Sequence, residues 1–440
     1  MGVREVSVRC CIAGGGPAGM MLGLLLARAG VAVLVLEKHA DFLRDFRGDT
    51  IHPSTLELMH ELGVLEEFLQ RPHQEVQTLG AQIGDVFLPV ADFQHLPTHC
   101  RFVALMPQWD FLNFIAEQAK RYPSFQLQME AEATALIEED GRVTGLHAET
   151  PQGSLAVRAD LVVGADGRHS IVRQKAGLPS TNLGAPMDVL WMRLSRRSSD
   201  PGQTLGRVDA GRIFVMLNRG DYWQCAYVIP KGGFDQIRQR GLTAFRGEIV
   251  HLAPYLSDRI GELADWSDIK LLTVAVDRLR VWHRPGLLCI GDAAHAMSPI
   301  GGVGINLAIQ DAVAAANILA PRLRQGGAPG EADLQAVQRR REFPTRATQQ
   351  LQLFIQNRVI GRVLERTEQL SPPLALRLLG KWPLLRRIPA RLVGLGFRPE
   401  HVMSPSAGSC WPRRSASTLH PLACRERGRS VSGSFRRRHG

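Results

Sequence analysis

Chemistry-bearing residue types collect in three separated stretches of the 440-residue chain. In the first, Gly14, Gly16 and Gly19 stand at G-x-G-x-x-G spacing between the apolar run Val6–Ala13 and a second apolar run that ends at Leu26. Gly14 permits a tight turn out of a strand, Gly16 lets backbone approach a pyrophosphate, and Gly19 lets the following helix pack close to the sheet. That helix opens at Pro17 and Ala18 and aims unpaired N–H groups and a partial positive charge at an anion. Glu37, followed by Lys38, lies 18 residues past Gly19, where a carboxylate can accept hydrogen bonds from a ribose diol. The second stretch is Asp166-Gly167-Arg168-His169-Ser170-Ile171-Val172-Arg173. The third is Gly291-Asp292-Ala293-Ala294-His295, followed by Pro299, Gly302, Gly304, Ile305 and Asn306.

Each stretch follows a short apolar run: Val6–Ala13, Leu161–Val163 or Leu287–Ile290. Such runs read as strands of a parallel sheet buried on both faces, and ligands bind at the carboxyl edge of such a sheet. The pattern therefore predicts an α/β, Rossmann-like domain. Helices are predicted from Pro53, from Trp109 to Lys120 with Gln108 at its start, from Ile305 to about Ala320, and over 331–366. Asp140-Gly141 predicts a hairpin turn. Alternating runs at 189–194, 212–217 and 222–229 predict an antiparallel sheet, which makes up a second domain interleaved with the first.

Composition is that of a globular protein, 45% apolar and 22% charged. The run Met20–Leu36 is interrupted by Arg28 and Gly30, so no membrane span is expected. Seven cysteines show no C-x-x-C pair and no zinc spacing, so no metal site is expected and a reducing cytoplasm fits. Eight arginines and one glutamate fall in residues 404–440, so the tail holds most of the net charge of +11. The charge thus says little about what the body binds, and no nucleic-acid partner is expected. The tail is predicted to be a disordered basic appendage, and its abrupt change of composition suggests a shifted reading frame beyond about Met403. The stretch 371–399, with six basic residues and no acid, is expected to pack on the nucleotide domain, with weak contact to a membrane surface as the alternative.

Taken together the three stretches resemble the single-component FAD-dependent aromatic monooxygenases, the group of p-hydroxybenzoate hydroxylase and the ubiquinone-pathway hydroxylases. The second fits that family's D-G-x-x-S-x-x-R and the third its G-D-A-x-H…P…G-x-G-x-N. The resemblance implies tightly but non-covalently bound FAD, NADH or NADPH as co-substrate, and O2. It implies that Gly14, Gly16, Ala18 and Gly19 hold the pyrophosphate and that Glu37 and Lys38 lie by the adenosine ribose. Arg47 would neutralise phosphate, Gln108 would lie near the ribityl chain, Asp166 near the pyrophosphate, and Asp292 would bond a ribityl hydroxyl. Gly302, Gly304, Ile305 and Asn306 would set a helix N-terminus beneath the flavin ring. Pro299 would line the reacting side, and His295 is either a general base or a structural histidine at a turn.

The implied domain plan places the FAD-binding domain at 1–75, 107–180 and 281–345. Substrate-domain strands occupy 76–106 and 181–280, C-terminal helices 346–403, and the tail 404–440. The implied reaction is hydroxylation or epoxidation of an electron-rich, aromatic or quinone-like small molecule through a flavin hydroperoxide. Trp191, Arg193, Phe214, Tyr222 and Gln224 are candidate substrate residues, together with Met216 and Tyr227. Alternate strand residues share a face, so Tyr222 and Gln224 lie opposite Trp223, Cys225 and Tyr227. The sequence leaves open which set faces the substrate. Competing readings are a flavin-dependent halogenase, an isoprenoid reductase and a non-catalytic flavin binder. Cys225-Ala226-Tyr227-Val228-Ile229-Pro230 keeps only the Ile-Pro of the halogenase W-x-W-x-I-P. Oligomeric state is left open.

Overall fold

The computed structural model describes residues 3–43, 50–84, 86–202, 205–209, 211–364 and 374–407. Arg47 and the tail beyond Ala407 lie outside the described residues. Five parallel strands form the centre of an eight-stranded sheet, in the order Leu287–Cys289, Gly153–Gly164, Arg4–Ala13, Val33–Leu36 and Phe125–Gln128. Their apolar runs are buried on both faces, as Ile12, Val33, Val35 and Val162 show. An antiparallel hairpin, Glu132–Glu139 and Arg142–Thr150, pairs with the first half of Gly153–Gly164. At its tip Asp140 and Gly141 both take positive φ (50° and 75°), as a two-residue turn of this kind requires. Helix Pro17–Arg28 packs against helix Gly304–Arg324 in the main core. The segment Ile300–Arg324 is long and apolar enough to cross a membrane, but most of it is buried inside the protein.

A seven-stranded sheet runs Lys270–Leu272, Met187–Ser195, Tyr222–Pro230, Arg212–Asn218, Leu205–Asp209, Thr78–Ile83, Val86–Asp92. Only part of the 76–106 stretch joins it. Val103–Leu105 is instead the central strand of a separate three-stranded sheet, flanked by Thr50–Ile51 and Gln74–Val76. One face of the large antiparallel sheet carries Leu190, Met192, Phe214, Met216, Trp223 and Tyr227. These pack with Ile237, Phe245 and Ile249 of helices Phe234–Arg240 and Leu242–Leu252. The other face carries Val189, Ala226 and Val228, which pack with Ile300 and Val363.

The C-terminal region departs from expectation in two places. Helices Leu374–Lys381 and Arg387–Gly394 pack chiefly on Val86–Asp92 and the turn after it, where Ala390 and Leu395 meet Ala91, Phe93 and Leu96. The ordered body also runs past 404. The Ala407 amide donates to the Arg28 carbonyl at 2.8 Å, and the Arg28 guanidinium donates to the Ser404 carbonyl at 3.1 Å. The first bond satisfies a carbonyl at the end of helix Pro17–Arg28 that the helix itself leaves open.

An ion cluster built on the buried side chains of Arg341, Asp311 and Glu400 joins these parts, with the half-exposed Arg340 at its edge. Arg341 of the long helix Glu331–Ile355 donates to Asp311 at 2.9 Å and to Glu400 at 3.1 Å, and Arg340 donates to Glu400 at 2.8 Å. Replacing Arg341 by Met should leave Asp311 and Glu400 as under-compensated buried charges and cost about 3–5 kcal/mol of unfolding free energy. Denaturant titration against the parent protein measures it.

Candidate active site

The register of the parallel sheet sets Ala13 beside both Leu36 and Gly164, and Gly164 beside Cys289. The three chemistry-bearing loops therefore leave adjacent strands at one level. They also touch. Gly14 takes φ +106°, and a Cβ there would run into the Ala165 carbonyl and lie 2.7 Å from the Asp166 amide. At Gly19 a Cβ would overlap the Gly14 carbonyl. At Gly291 it would come within 3.2 Å of Ala18 and 3.1 Å of Ala308. Gly16 differs, because a Cβ there meets nothing within 4 Å. The empty space is on the ligand side of the turn, where the motif needs bare backbone.

Glu37 is buried at the end of its strand. Its carboxylate accepts from the Gly15 amide at 2.9 Å and the His39 amide at 3.1 Å, so it braces the glycine loop as well as standing where a ribose would lie. Lys38 is exposed, 4.0 Å from Glu132.

The second loop owes its shape to its own motif. Ser170 caps helix Ile171–Lys175 by accepting from the Arg173 amide at 2.9 Å. Arg173 then reaches back to the Arg168 carbonyl at 2.7 Å and across to the Ala293 carbonyl at 3.3 Å, tying the second loop to the third. Asp166 accepts from the Val172 amide at 3.1 Å through Oδ2, while its buried Oδ1 finds no partner among the described residues. Burial pushes this carboxyl above its ordinary range, against the opposing hydrogen bonds from Ser170 and Val172. Asp292 stands 3.9 Å from Arg168 at the mouth of the third loop.

The third loop is held from behind. Gly302 takes φ +62°, and a Cβ there would overlap the Thr50 hydroxyl, which donates to the Gly302 carbonyl at 2.9 Å. Asn306 donates to the Thr50 carbonyl at 3.0 Å and accepts from the His52 amide at 2.9 Å and the Thr55 hydroxyl at 2.8 Å. Its side chain is thus a clamp, and the ligand-facing group is the helix start it positions. Helix Gly304–Arg324 begins without a side-chain cap, which leaves its first N–H groups, Ile305 included, for a ligand. Gln108 is buried in the first turn of Gln108–Lys120, three residues past the Leu105 that pairs with Thr50.

Two expectations need correcting. His295 lies in the interior. Its Nε2 donates to Asp311 at 2.6 Å, the same carboxylate that accepts from the Gly291 amide at 3.1 Å, and its ring stands 5.0 Å from Trp282. This geometry makes it a support for the loop, with no exposure through which to act as a general base. Phe214 lies on the helix-packed face of the large sheet with Met216 and Tyr227, turned from the loop side by strand alternation. Trp191, Arg193, Tyr222 and Gln224 share the opposite face, the one that meets Ile300 of the third loop. Pro299 opens the turn Ile300–Gly302.

One set of residues was missed altogether. Gln349, Gln352 and Gln356 line one side of the long helix and its continuation. They bond the Ala296, Ser298 and Ile300 carbonyls at 3.1, 3.0 and 2.9 Å and the Ser298 hydroxyl at 2.5 Å. Their spacing of three and four was the available signal, because side chains at that period share one helix face, and polar ones that are buried there need partners.

The residues present fit an FAD: an open cradle at Gly16, an unpartnered buried carboxylate oxygen at Asp166, and an uncapped helix start aimed from Gly304. Three such loops on one edge of a parallel sheet define a dinucleotide-binding oxidoreductase. A family profile described as "FAD binding domain" matches residues 7–351, and the chain belongs to that family. It is 33% identical to 6-methylpretetramide 4-monooxygenase of Streptomyces rimosus over 387 residues, covering 87% of this chain and 91% of that protein. It is 25% identical to 3-demethoxyubiquinol 3-hydroxylase of Escherichia coli, over 70% of this chain and 78% of the relative. The structure of PqsL from Pseudomonas aeruginosa matches with a TM-score of 0.68 at 22% identity, covering 82% of this chain and 98% of that one, a likeness of fold. The chain is an FAD-dependent monooxygenase.

Replacing Gly16 by Val should leave the fold intact, since the space is open, yet weaken FAD binding by at least about tenfold by blocking backbone approach. Asp166→Asn should weaken it about 10- to 100-fold, the range for losing a hydrogen bond to a charged group. Flavin fluorescence titration reads both. A second expectation concerns His52, whose Nδ1–H donates to the Val393 carbonyl at 2.7 Å and whose pKa burial lowers from 6.5 to about 4. The fold holds the neutral ring. Its contribution is therefore full above pH 6.5 and is lost as pH falls towards 4, because the unfolded chain protonates first. Unfolding free energy should drop by about 3 kcal/mol across that window from this group, and His52→Leu should flatten the slope.

Proposed function

We propose that the chain inserts one oxygen atom from O2 into an electron-rich, fused-ring phenolic compound, using NADH or NADPH, in the cytoplasm. The observation that carries this reading is the join between the two halves of the site. Ile300 of the third loop packs in one apolar cluster with Val189, Ala226 and Val228, the same sheet face that carries Trp191, Arg193, Tyr222 and Gln224. A ring system laid on that face would abut the helix start at Gly304. The relative that acts on 6-methylpretetramide supports a fused-ring substrate.

Bound FAD supplies the redox chemistry; the chain's residues supply placement and polarity. Gly14–Gly19, Asp166 and Asp292 would hold and orient the cofactor. The N–H groups and positive end of helix Gly304–Arg324 stabilise negative charge that develops on a ring placed above them. Val189, Val228 and Ile300 exclude water from the reacting side. The indole Nε1 of Trp191 and the amide Nε2 of Gln224 are buried donors that find no partner among the described residues. Arg193 stacks 3.8 Å from the Tyr222 ring centroid. Positions on this face of the three central strands carry no carboxylate. A donor-lined, acid-free face fits a substrate rich in acceptor oxygens, whose phenolate or enolate form is the one an electrophilic oxygen attacks.

Oxygen uptake, NAD(P)H oxidation and product mass, measured together against fused-ring phenols, test the reading. Coupled uptake with a product one oxygen atom heavier is expected. NAD(P)H oxidation that yields only hydrogen peroxide with every such compound, or an oxygen-free reduced product, would overturn it. Arg193→Met and Trp191→Phe should each raise KM for the aromatic substrate about tenfold, with a smaller change in kcat.

A further inference from the structure

Residues 374–395 form a helical hairpin with two unlike sides. The inner side is anchored. Ala390 and Leu395 are buried against Phe93 and Leu96, and a Cβ at Gly394 would come within 2.7 Å of Leu96. Arg386 closes the hairpin on itself, donating to the Leu379 carbonyl at 2.7 Å and the Gly380 carbonyl at 2.6 Å. The outer side has Trp382 exposed at 58%, Leu384 at 67% and Ile388 at 60%, with Leu378 exposed beside them.

Charges on this side are of one sign. Arg377, Lys381, Arg387 and Arg391 are exposed and form no ion pair among the described residues, and 371–399 contains no Asp or Glu. Leu378 and Trp382 are four residues apart, as are Leu384 and Ile388, Arg377 and Lys381, and Arg387 and Arg391. Within helices Leu374–Lys381 and Arg387–Gly394 that spacing stacks side chains on one face, and Leu384 stands on the tight turn Pro383–Arg386 between them, so exposed apolar side chains run beside basic ones. A surface that pairs exposed Trp, Leu and Ile with Arg and Lys on a short amphipathic helix matches the boundary of an anionic bilayer. Cations meet headgroup phosphates there while aromatic and aliphatic groups enter the acyl boundary. The inner packing holds the patch in shape beforehand, so binding need not order it.

We propose that the outer face of residues 377–391 docks the protein on anionic lipid membranes, with Trp382, Leu384 and Ile388 entering the interface. None of these side chains belongs to the flavin or substrate site, so the proposal stands or falls apart from the assigned reaction.

The test is co-sedimentation of the full-length, FAD-loaded protein with vesicles of phosphatidylcholine alone or mixed with phosphatidylglycerol. Binding to the mixed vesicles is expected, weakened but not abolished as salt rises. The variant W382S/L384S/I388S should bind at least about tenfold more weakly while keeping its flavin content and oxygen uptake. Because the arginine-rich tail could bind anionic lipid by itself, a triple variant that sediments as well as the parent overturns the proposal. So does failure of the parent to bind mixed vesicles, or a dimer in light scattering that the triple variant abolishes while vesicles are ignored. A second readout does not depend on the triple variant's folding. Brominated acyl chains should quench a component of tryptophan emission in the parent that W382F lacks, and equal quenching in both would equally overturn the docking.

Discussion

The structure depends first on the parallel pairing of Arg4–Ala13 with Gly153–Gly164, and of the latter with Leu287–Cys289. Stretches more than a hundred residues apart in the chain end at one level only because this register aligns them. A one-residue slip would turn the apolar set of each strand and displace its loop together. The contact between Gly14 and the Ala165 carbonyl shows how little tolerance remains: any side chain at 14 would push the second loop away from the first. Gly291 has the same relation to Ala18. The glycines act twice, giving the cofactor bare backbone and letting three loops from distant parts of the chain close on one another.

The third loop needs more support than the first two. Gly301 and Gly302 both take positive φ, and glycine backbone of this kind has little stiffness of its own. Rigidity is supplied from outside. Asn306 and Thr50 hold the loop on one side; on the other, Gln349 and Gln352 hold its carbonyls and Gln356 its Ser298 hydroxyl. Beneath it Asp311 joins the Gly291 amide, His295 and Arg341, so the flavin loop and the Arg398–Glu400 segment share one buried carboxylate-guanidinium network. Burying charge is costly unless every member is bonded. The expected return is a fixed position for the N-terminus of helix Gly304–Arg324, whose stabilising effect on an anionic ring falls off within the first turn.

Sequence patterns made the cofactor half of the molecule legible because its chemistry forces local signatures. The G-x-G-x-x-G spacing, the Ser170 cap and the Asp140-Gly141 turn are each explained by backbone geometry within a few residues. Other features had no local signal. Whether Phe214 or Gln224 faces the cleft depends on which side of the sheet helices Phe234–Arg240 and Leu242–Leu252 cover, a long-range fact that alternation alone cannot supply. His295 was read as a base or a turn residue because its partner, Asp311, lies 16 residues away on a helix whose buried carboxylate looks, in sequence, like an interruption of an apolar stripe. The basic stretch after 371 was expected on the nucleotide domain and does reach it, through the Val393 carbonyl at His52 and the Leu395 carbonyl at Gln310, but its apolar positions Ala390 and Leu395 pack on Phe93 and Leu96.

These differences follow a division within the molecule. On the cofactor side, loops are fixed by hydrogen bonds to backbone groups, each directional and short, so a displaced atom costs a bond. On the large antiparallel sheet, the face formed by Val189, Ala226 and Val228 is held by apolar packing, which constrains volume more than direction. A cofactor whose dimensions do not vary suits the first kind of support. The second kind can change its side chains without disturbing the sheet, because residues on one face of a strand alter a pocket while those on the other keep the core. Trp191, Arg193 and Gln224 stand on that changeable face, with Met192 and Cys225 beside them in sequence on the conserving one. The alternation that left the pocket face undecided in the sequence is thus what lets the sheet present the donors of Trp191, Arg193 and Gln224 above a core that need not change.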